Sequence, residues 1–162
     1  AAGNQVLIVT KPRLEVIQKL CTELDGYKSQ LLYRFTIGST DSAVLREYEP
    51  GASSFEERLE CLKLAYQQGF TTSVSAYFIH DPETSEIYTA TELFITDAIW
   101  YGKINRINNI LPRKYPENVE MNTKLNTLLA AQDIRFIEEL YQTYSANPKV
   151  RWKDSIKEAL GI

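Results

Sequence analysis

The sequence predicts an α/β protein: a partial (β/α) barrel of about four parallel strands with flanking helices and a helical C-terminal extension. Three observations predict it. Strand-like and helix-like segments alternate along residues 5–104. The runs VLIVT and LLYRF are nearly continuous apolar segments, as parallel strands covered on both faces are. The intervening helices are long enough for right-handed crossovers.

QVLIVT (5–10) is the first strand. KPRLEVIQKLCTELDGY follows, with Pro12 in the first turn and Leu14, Ile17, Leu20, Cys21 and Leu24 at helical spacing, and Gly26 placed to end it. LLYRFTIG (31–38) reads as the second strand. A polar turn, a short helical piece and a Glu-Pro-Gly break come next. Ser53 and Ser54 stand three residues before Glu56 and Glu57, a doubled capping-box signal for a helix that buries Phe55, Leu59, Leu62 and Tyr66 and stops at Gly69. FTTSVSAYFI (70–79) is the third strand and DAIWYGKI (97–104) the fourth, with a turn and a short helix between them. Residues 104–118, with Pro112 and Pro116, read as irregular. Residues 122–145 read as helical, and a last helix starts near Lys153. These segments divide the chain into a barrel arc over 1–106 and a helical extension over 107–162 packed on it.

Four parallel strands fit an open sheet or an arc of a barrel, and the third strand favours the arc. Ser73, Ser75 and Tyr77 share one face, while Thr72, Val74, Ala76 and Phe78 share the other. A small polar face opposite an apolar one suits a lumen and an outer helix layer. The C-terminal strand ends carry Thr10-Lys11, Gly38-Ser39, Ile79-His80 and Gly102-Lys103-Ile104-Asn105. Ligands of parallel α/β folds gather at such ends.

Composition narrows the function classes. A chain of 162 residues with 44% hydrophobic and 24% charged content is expected to be one folded unit with a sizeable core. A net charge of −3 argues against a surface that coats nucleic acid. The basic clusters Arg106, Arg113, Lys114 and Arg151, Lys153, Lys157 read as solvated charge. No apolar run reaches the ~18 residues of a membrane span. The start lacks a signal peptide's basic region and apolar core, so a cytoplasmic location is expected. It also lacks Met, and a strand begins almost at once, as in a piece of a longer protein. Cys21 and Cys61 fall on helical apolar stripes and read as reduced core thiols. Two distant cysteines cannot supply a four-thiolate metal site. His80 is the only histidine, which leaves little for a triad or a multi-histidine metal centre.

VLIVTKP, RFTIGS followed by EPGASSFEERL, the GFTTSVS strand, TDAIWYGKINRI and the tail VRWKDSIK together resemble the C-terminal half of a radical S-adenosylmethionine family, that of spore photoproduct lyase and DNA repair photolyase-like proteins. The resemblance covers most of residues 5–106 plus that tail. It implies a partial (β/α)6 barrel in which a C-x-x-x-C-x-x-C triplet after the first strand holds a 4Fe–4S cluster. That cluster binds S-adenosylmethionine and releases a deoxyadenosyl radical on reduction. It further implies that this chain supplies the later, cofactor- and substrate-side strands. The matching positions are Thr36 and Ser39 at the RFTIGS strand end, Glu49 in the EPG turn, Ser73 and Ser75 on the lumen face, and Lys103 and Asn105 after IWYG. All but Glu49 are expected to face the cofactor.

The departures are equally specific. The chain has no cysteine triplet, so alone it is expected to hold neither cluster nor cofactor and to be inactive. Where the family tends to read Cys-Glu-Pro after the GFTTSVS strand, this chain has Ala76, Tyr77 and Phe78, so a lumen carboxylate is missing.

Each position also has a plainer reading. Gly38-Ser39 reads equally as a ligand loop or as a strand stop with Ser39 or Asp41 capping the next helix. Glu49, held extended by Pro50, reads better as a structural bond to a neighbouring loop. Lys103 suits a carboxylate or phosphate, and nearly as well a solvated lysine. Ser73 and Ser75 double as small lumen fillers, His80 as a turn residue, and Trp100 and Tyr101 as core or lumen wall. Glu56-Glu57 and Glu138-Glu139 suit helix surfaces and not an acid–base pair.

The leading expectation is the C-terminal part of a radical S-adenosylmethionine enzyme, of lyase or oxidoreductase type. Its partner is the missing N-terminal half of the barrel, or a homodimer mate covering the open edge. Nucleic acid enters as a partner by family analogy alone. The alternatives are a non-catalytic binding or scaffold domain on a degenerate version of the same fold, and an unrelated α/β enzyme holding a phosphate or sugar at its strand ends.

Overall fold

The computed structural model describes residues 3–77, 83–104 and 132–162, and Val119, Thr123, Asn126, Thr127, Leu129 and Ala130 between them. Five strands form one parallel sheet: β1 (Val6–Thr10), β2 (Leu31–Ile37), β3 (Thr71–Tyr77), β4 (Ile99–Gly102) and β5 (Val150–Trp152). Their order across the sheet is their order in the chain. The helices are α1 (Leu14–Glu23), α2 (Ser42–Tyr48), α3 (Phe55–Gln67), α4 (Glu83–Thr91), α5 (Ile134–Tyr144) and α6 (Asp154–Leu160). An α/β fold with helices flanking an all-parallel sheet, as in an arc of a barrel, is what the sequence predicts.

β5 is the addition. Residues 150–152 sit in the tail expected to be only helical, yet they pair with β4 in register Ile99↔Val150, Trp100↔Arg151 and Tyr101↔Trp152. A three-residue strand is too short to show alternation, so its pattern is silent. The helix expected over 122–145 is interrupted at Gln132–Asp133. There Asp133 caps α5 by accepting from the Phe136 N–H at 3.0 Å. Phe78, Ile79 and His80, and the irregular stretch from Asn105 with Arg106, Arg113 and Lys114, lie outside the described residues.

Pro12 precedes α1 instead of sitting in its first turn, and Gly26 falls in a 3-10 turn (Asp25–Gln30) after α1 has ended. α3 is rotated from expectation. It buries Arg58, Cys61, Leu62 and Ala65, while Leu59 is half-buried and Tyr66 exposed. A lone arginine on the inner stripe was invisible to a pattern that counts it as polar. Only one of the paired serines caps: Ser54 accepts from the Glu57 N–H, whereas Ser53 is buried and donates to the Pro12 carbonyl. The Glu57 carboxylate does not turn back on its own helix. It accepts from the Leu14 N–H at the start of α1, 3.0 Å away. Gly69 ends α3 at φ +80°, a left-handed conformation that favours glycine.

The two sheet faces differ sharply. One carries Tyr33, Phe35, Ile37, Val74, Ala76, Ile99, Tyr101 and Val150, and α1, α3, α4, α5 and α6 all send their buried side chains to it. Cys21 and Cys61 belong to this core and are free thiols, as the stripes predict. The other face carries Leu7, Val9, Leu32, Arg34, Thr36, Ser73, Ser75 and Trp100. Its β1 end is open: Leu7 is 47% and Val9 55% exposed. The expectation that VLIVT is covered on both faces therefore fails within this chain. β1 is an edge strand with one face bare.

Arg58 is fully buried. Its Nε donates to the Ser53 carbonyl at 3.0 Å, one terminal nitrogen to the Thr36 carbonyl at 3.1 Å, and the other to Glu49 Oε2 at 2.6 Å. Lys11 Nζ stands 3.2 Å from Glu49 Oε1, close enough for ion pairing but off the hydrogen-bonding line. Removing Arg58 strands the Glu49 carboxylate in the interior with one half-exposed lysine for company. Arg58→Ala is expected to cost about 3–5 kcal/mol in a urea melt; a loss below ~1 kcal/mol would show that the pair does not organise these loops.

Burial, with the Glu57 and Glu60 carboxylates nearby, pushes the Cys61 thiol up to about 12. Burial also raises Cys21, whose neighbour is the buried Tyr33 hydroxyl. Thiolate is the reactive form, so both cysteines are expected to ignore Ellman's reagent at about pH 8 until denaturant is added. Prompt colour from the native protein would contradict this packing.

Candidate functional site

The polar half of this second face, across β2 to β5, is the candidate site; Ser73 and Ser75 lie buried in it. Strand register places Arg34 beside Ser73, Thr36 beside Ser75, and Ser75 beside Trp100. Lys153, just past β5, reaches back over the sheet and donates to Ser75 Oγ at 2.6 Å. It crosses β4 at Gly102. A Cβ on that glycine would run into Cδ of Lys153 and come within 3.2 Å of its Cβ and Cγ. Gly102 is thus fixed by close approach and not by backbone conformation.

Arg34 Nε donates to Ser73 Oγ at 3.1 Å, and the Ser73 hydroxyl donates in turn to the Ala98 carbonyl at 2.6 Å. The guanidinium lies over the Trp100 ring, 4.7 Å from its centroid, and its far nitrogen is 3.5 Å from Asp97 Oδ2. The Trp100 indole N–H is buried and has no hydrogen-bond partner among the described residues. Burial, helped by Arg34, holds Lys153 below the usual lysine range, and it makes no ion pair among the described residues. The patch is therefore rich in donors and carries two cations against one carboxylate at its margin.

The residues singled out from the sequence scatter between this face and the loops beyond it. Thr36, Ser73 and Ser75 lie on the face together. Ser39 is fully buried and accepts from the Asp41 N–H at 2.9 Å, while Asp41 caps α2. At Gly38-Ser39 the geometry is that of a strand stop. Glu49 belongs to the Arg58 ion pair. Lys103 is half-buried, and its backbone N–H donates to Ser155 Oγ at 3.0 Å. Asn105 lies outside the described residues. Ala76 points into the core, and Tyr77 packs with Leu45 of α2 and Ile104 past the strand ends.

Arg34 and Lys153 are what sequence reasoning missed. Lys153 read as solvated surface charge and is instead half-buried against the sheet. Its only sequence signal is Gly102 at the end of a strand, whose partner is invisible until β5 is placed. Arg34 did carry a signal: a cation inside an apolar strand, in phase with Thr36.

Neither a protein-family model nor a curated protein matches the sequence. Solved structures do. The Streptococcus suis protein SuiB bound to S-adenosylmethionine matches at a TM-score of 0.56 and 12% identity, over 94% of this chain and 32% of SuiB. SuiB bound to the precursor peptide SuiA matches at 0.62 and 11% identity, over 98% and 34%. At such identities the likeness is one of fold alone. The chain spans about a third of SuiB.

The folded-state pKa of Lys153 lies below the ordinary 10.5, so the unfolded chain binds this proton more tightly. Stability is therefore expected to rise with pH through the window just below that value. In urea melts from neutral pH to about 10, wild type should gain stability relative to Lys153→Met as pH rises. A constant difference would mean that Lys153 is not held against the sheet.

Proposed function

We propose that this chain forms the later strands of a radical S-adenosylmethionine enzyme of the DNA repair photolyase-like type. The supporting observation is a parallel sheet with helices on one face and a strip of small polar residues on the other, ending in an exposed edge at β1. Five consecutive strands so arranged make an arc. Exposed Leu7 and Val9 are what the preceding strands and their lumen side chains would cover. The N-terminal half of the barrel is accordingly the partner that this edge fits.

The residues present do not fit the iron–sulfur cluster. Among the described residues no three Cys, His, Asp or Glu side chains come together to hold a metal, and both cysteines lie on the helix side of the sheet. The cluster then belongs to a segment carrying the C-x-x-x-C-x-x-C triplet. Toward S-adenosylmethionine, Thr36 and Ser75 offer adjacent hydroxyls on the lumen face, and Lys103 stands at the mouth. Ser39 is spent on the α2 turn.

A second reading, a binding domain that kept the fold and lost the chemistry, is favoured by Tyr77. At the position where the family tends to have Glu, this side chain packs against Leu45 and supplies no carboxylate. One experiment separates the two. The coding sequence upstream of Ala1 is read in frame, and the full polypeptide is reconstituted anaerobically with iron, sulfide and a reductant. The enzyme reading expects the triplet upstream, a 4Fe–4S absorption band and reductive release of 5′-deoxyadenosine, with release weakened in Thr36→Ala. A frame without the triplet, or a reconstituted protein that never cleaves S-adenosylmethionine, gives the binding-domain reading instead.

A further inference from the structure

The cations on the polar face lack a close carboxylate among the described residues. Lys153 Nζ, half-buried, has a serine hydroxyl as its partner. Trp100 Nε1 is buried with no hydrogen-bond partner among the described residues. Arg34 donates to Ser73, and the carboxylate beside it, Asp97, stands 3.5 Å away on a side chain 37% exposed. Leaving a donor unmatched costs folding energy, and a desolvated cation costs more unless it is paired. Gly102 adds independent weight, because the chain keeps a strand residue without a side chain where the lysine crosses. A lysine with nothing to bind here would gain by swinging out to water.

Spacing fits one small anion. Ser73 and Ser75 are two residues apart on one face of β3, roughly 6.6 Å along the strand. Arg34 Nε and Lys153 Nζ are held at these two hydroxyls. An oxyanion between the two cations takes charge-assisted hydrogen bonds from both. Of the other charges nearby, Asp97 sits at the rim on Arg34, and Arg151 turns back onto the Pro148 and Val150 carbonyls.

We propose that this patch binds an anionic group of a ligand, a carboxylate or a phosphate, between Lys153 and Arg34, with the Trp100 indole N–H as a third donor. The inference does not rest on the radical-enzyme reading. It concerns this chain's own side chains and holds whether or not a cluster-bearing segment joins them.

The test is an NMR titration of the nitrogen-15-labelled chain at neutral pH and constant ionic strength, once with sodium phosphate and once with sodium acetate. The indole N–H signal of Trp100, assigned by its loss in Trp100→Phe, is expected to shift and saturate. Lys153→Met should weaken binding by about tenfold or more, as the loss of one charge-assisted bond requires. Gly102→Ala keeps both cations and only displaces the lysine. It should weaken binding comparably, with the Trp152 signal reporting an intact fold. Saturation by phosphate alone assigns a phosphate ligand, by acetate alone a carboxylate, and by both an unselective oxyanion site. Linear shifts without saturation for both anions overturn the proposal. So do folded Lys153→Met and Gly102→Ala proteins that bind like wild type.

Discussion

A single buried guanidinium holds the C-terminal ends of the first two strands in place. Arg58 reaches from α3 to the Thr36 carbonyl at the end of β2, the Ser53 carbonyl before its own helix, and Glu49 in the turn between. Glu49 passes the connection to Lys11 at the end of β1. Ser53 ties the same loop to the Pro12 carbonyl, Arg13 to the Gly51 carbonyl, and Glu57 to the first N–H of α1. Burying an ion pair is seldom a net gain over apolar packing. Here its worth is geometric: a planar fork of donors ties two loop segments, at Glu49 and Ser53, to the end of β2.

This knot explains why the stretch from Arg34 to Leu59 is so dense in polar groups and backbone breaks. Its polar residues look inward and sideways, toward one another. Ser39 and Asp41 shape the start of α2, Ser42 joins Glu56 and the Phe55 N–H, and Ser54 caps α3. The polar groups of the candidate site come instead from the strands themselves and from the tail.

The sequence was most legible where periodicity is long and faces are chemically distinct. The division of β3 into Ser73 and Ser75 against Thr72, Val74 and Ala76 is what the sheet shows. The thiols of α1 and α3 are also where their stripes put them. Legibility failed where one residue's meaning depends on a distant partner. Arg58 breaks an apolar stripe unless Glu49 is known to face it. Lys153 reads as surface unless Gly102 is seen beneath it. β5 is three residues long, and pairing with β4, fifty-one positions earlier at Val150↔Ile99, makes it a strand; its local pattern does not. The positions matched to a photolyase-like family divide, Thr36, Ser73 and Ser75 onto the polar face and Ser39 and Glu49 into the scaffold.

The strand order, the same in space as in sequence, bears on how the molecule is made. No strand has to thread between two neighbours that are already paired, because each new one adds to the outer side of the last. Growth can follow synthesis from the ribosome, with one βα unit laid down at a time. The exception is the final step, in which β5 closes onto β4 after a long excursion of chain and loop closure is most costly. The two-cation patch is completed only then, when Lys153 arrives over Gly102. A ribosome-bound nascent chain would hold its sheet before it holds its site.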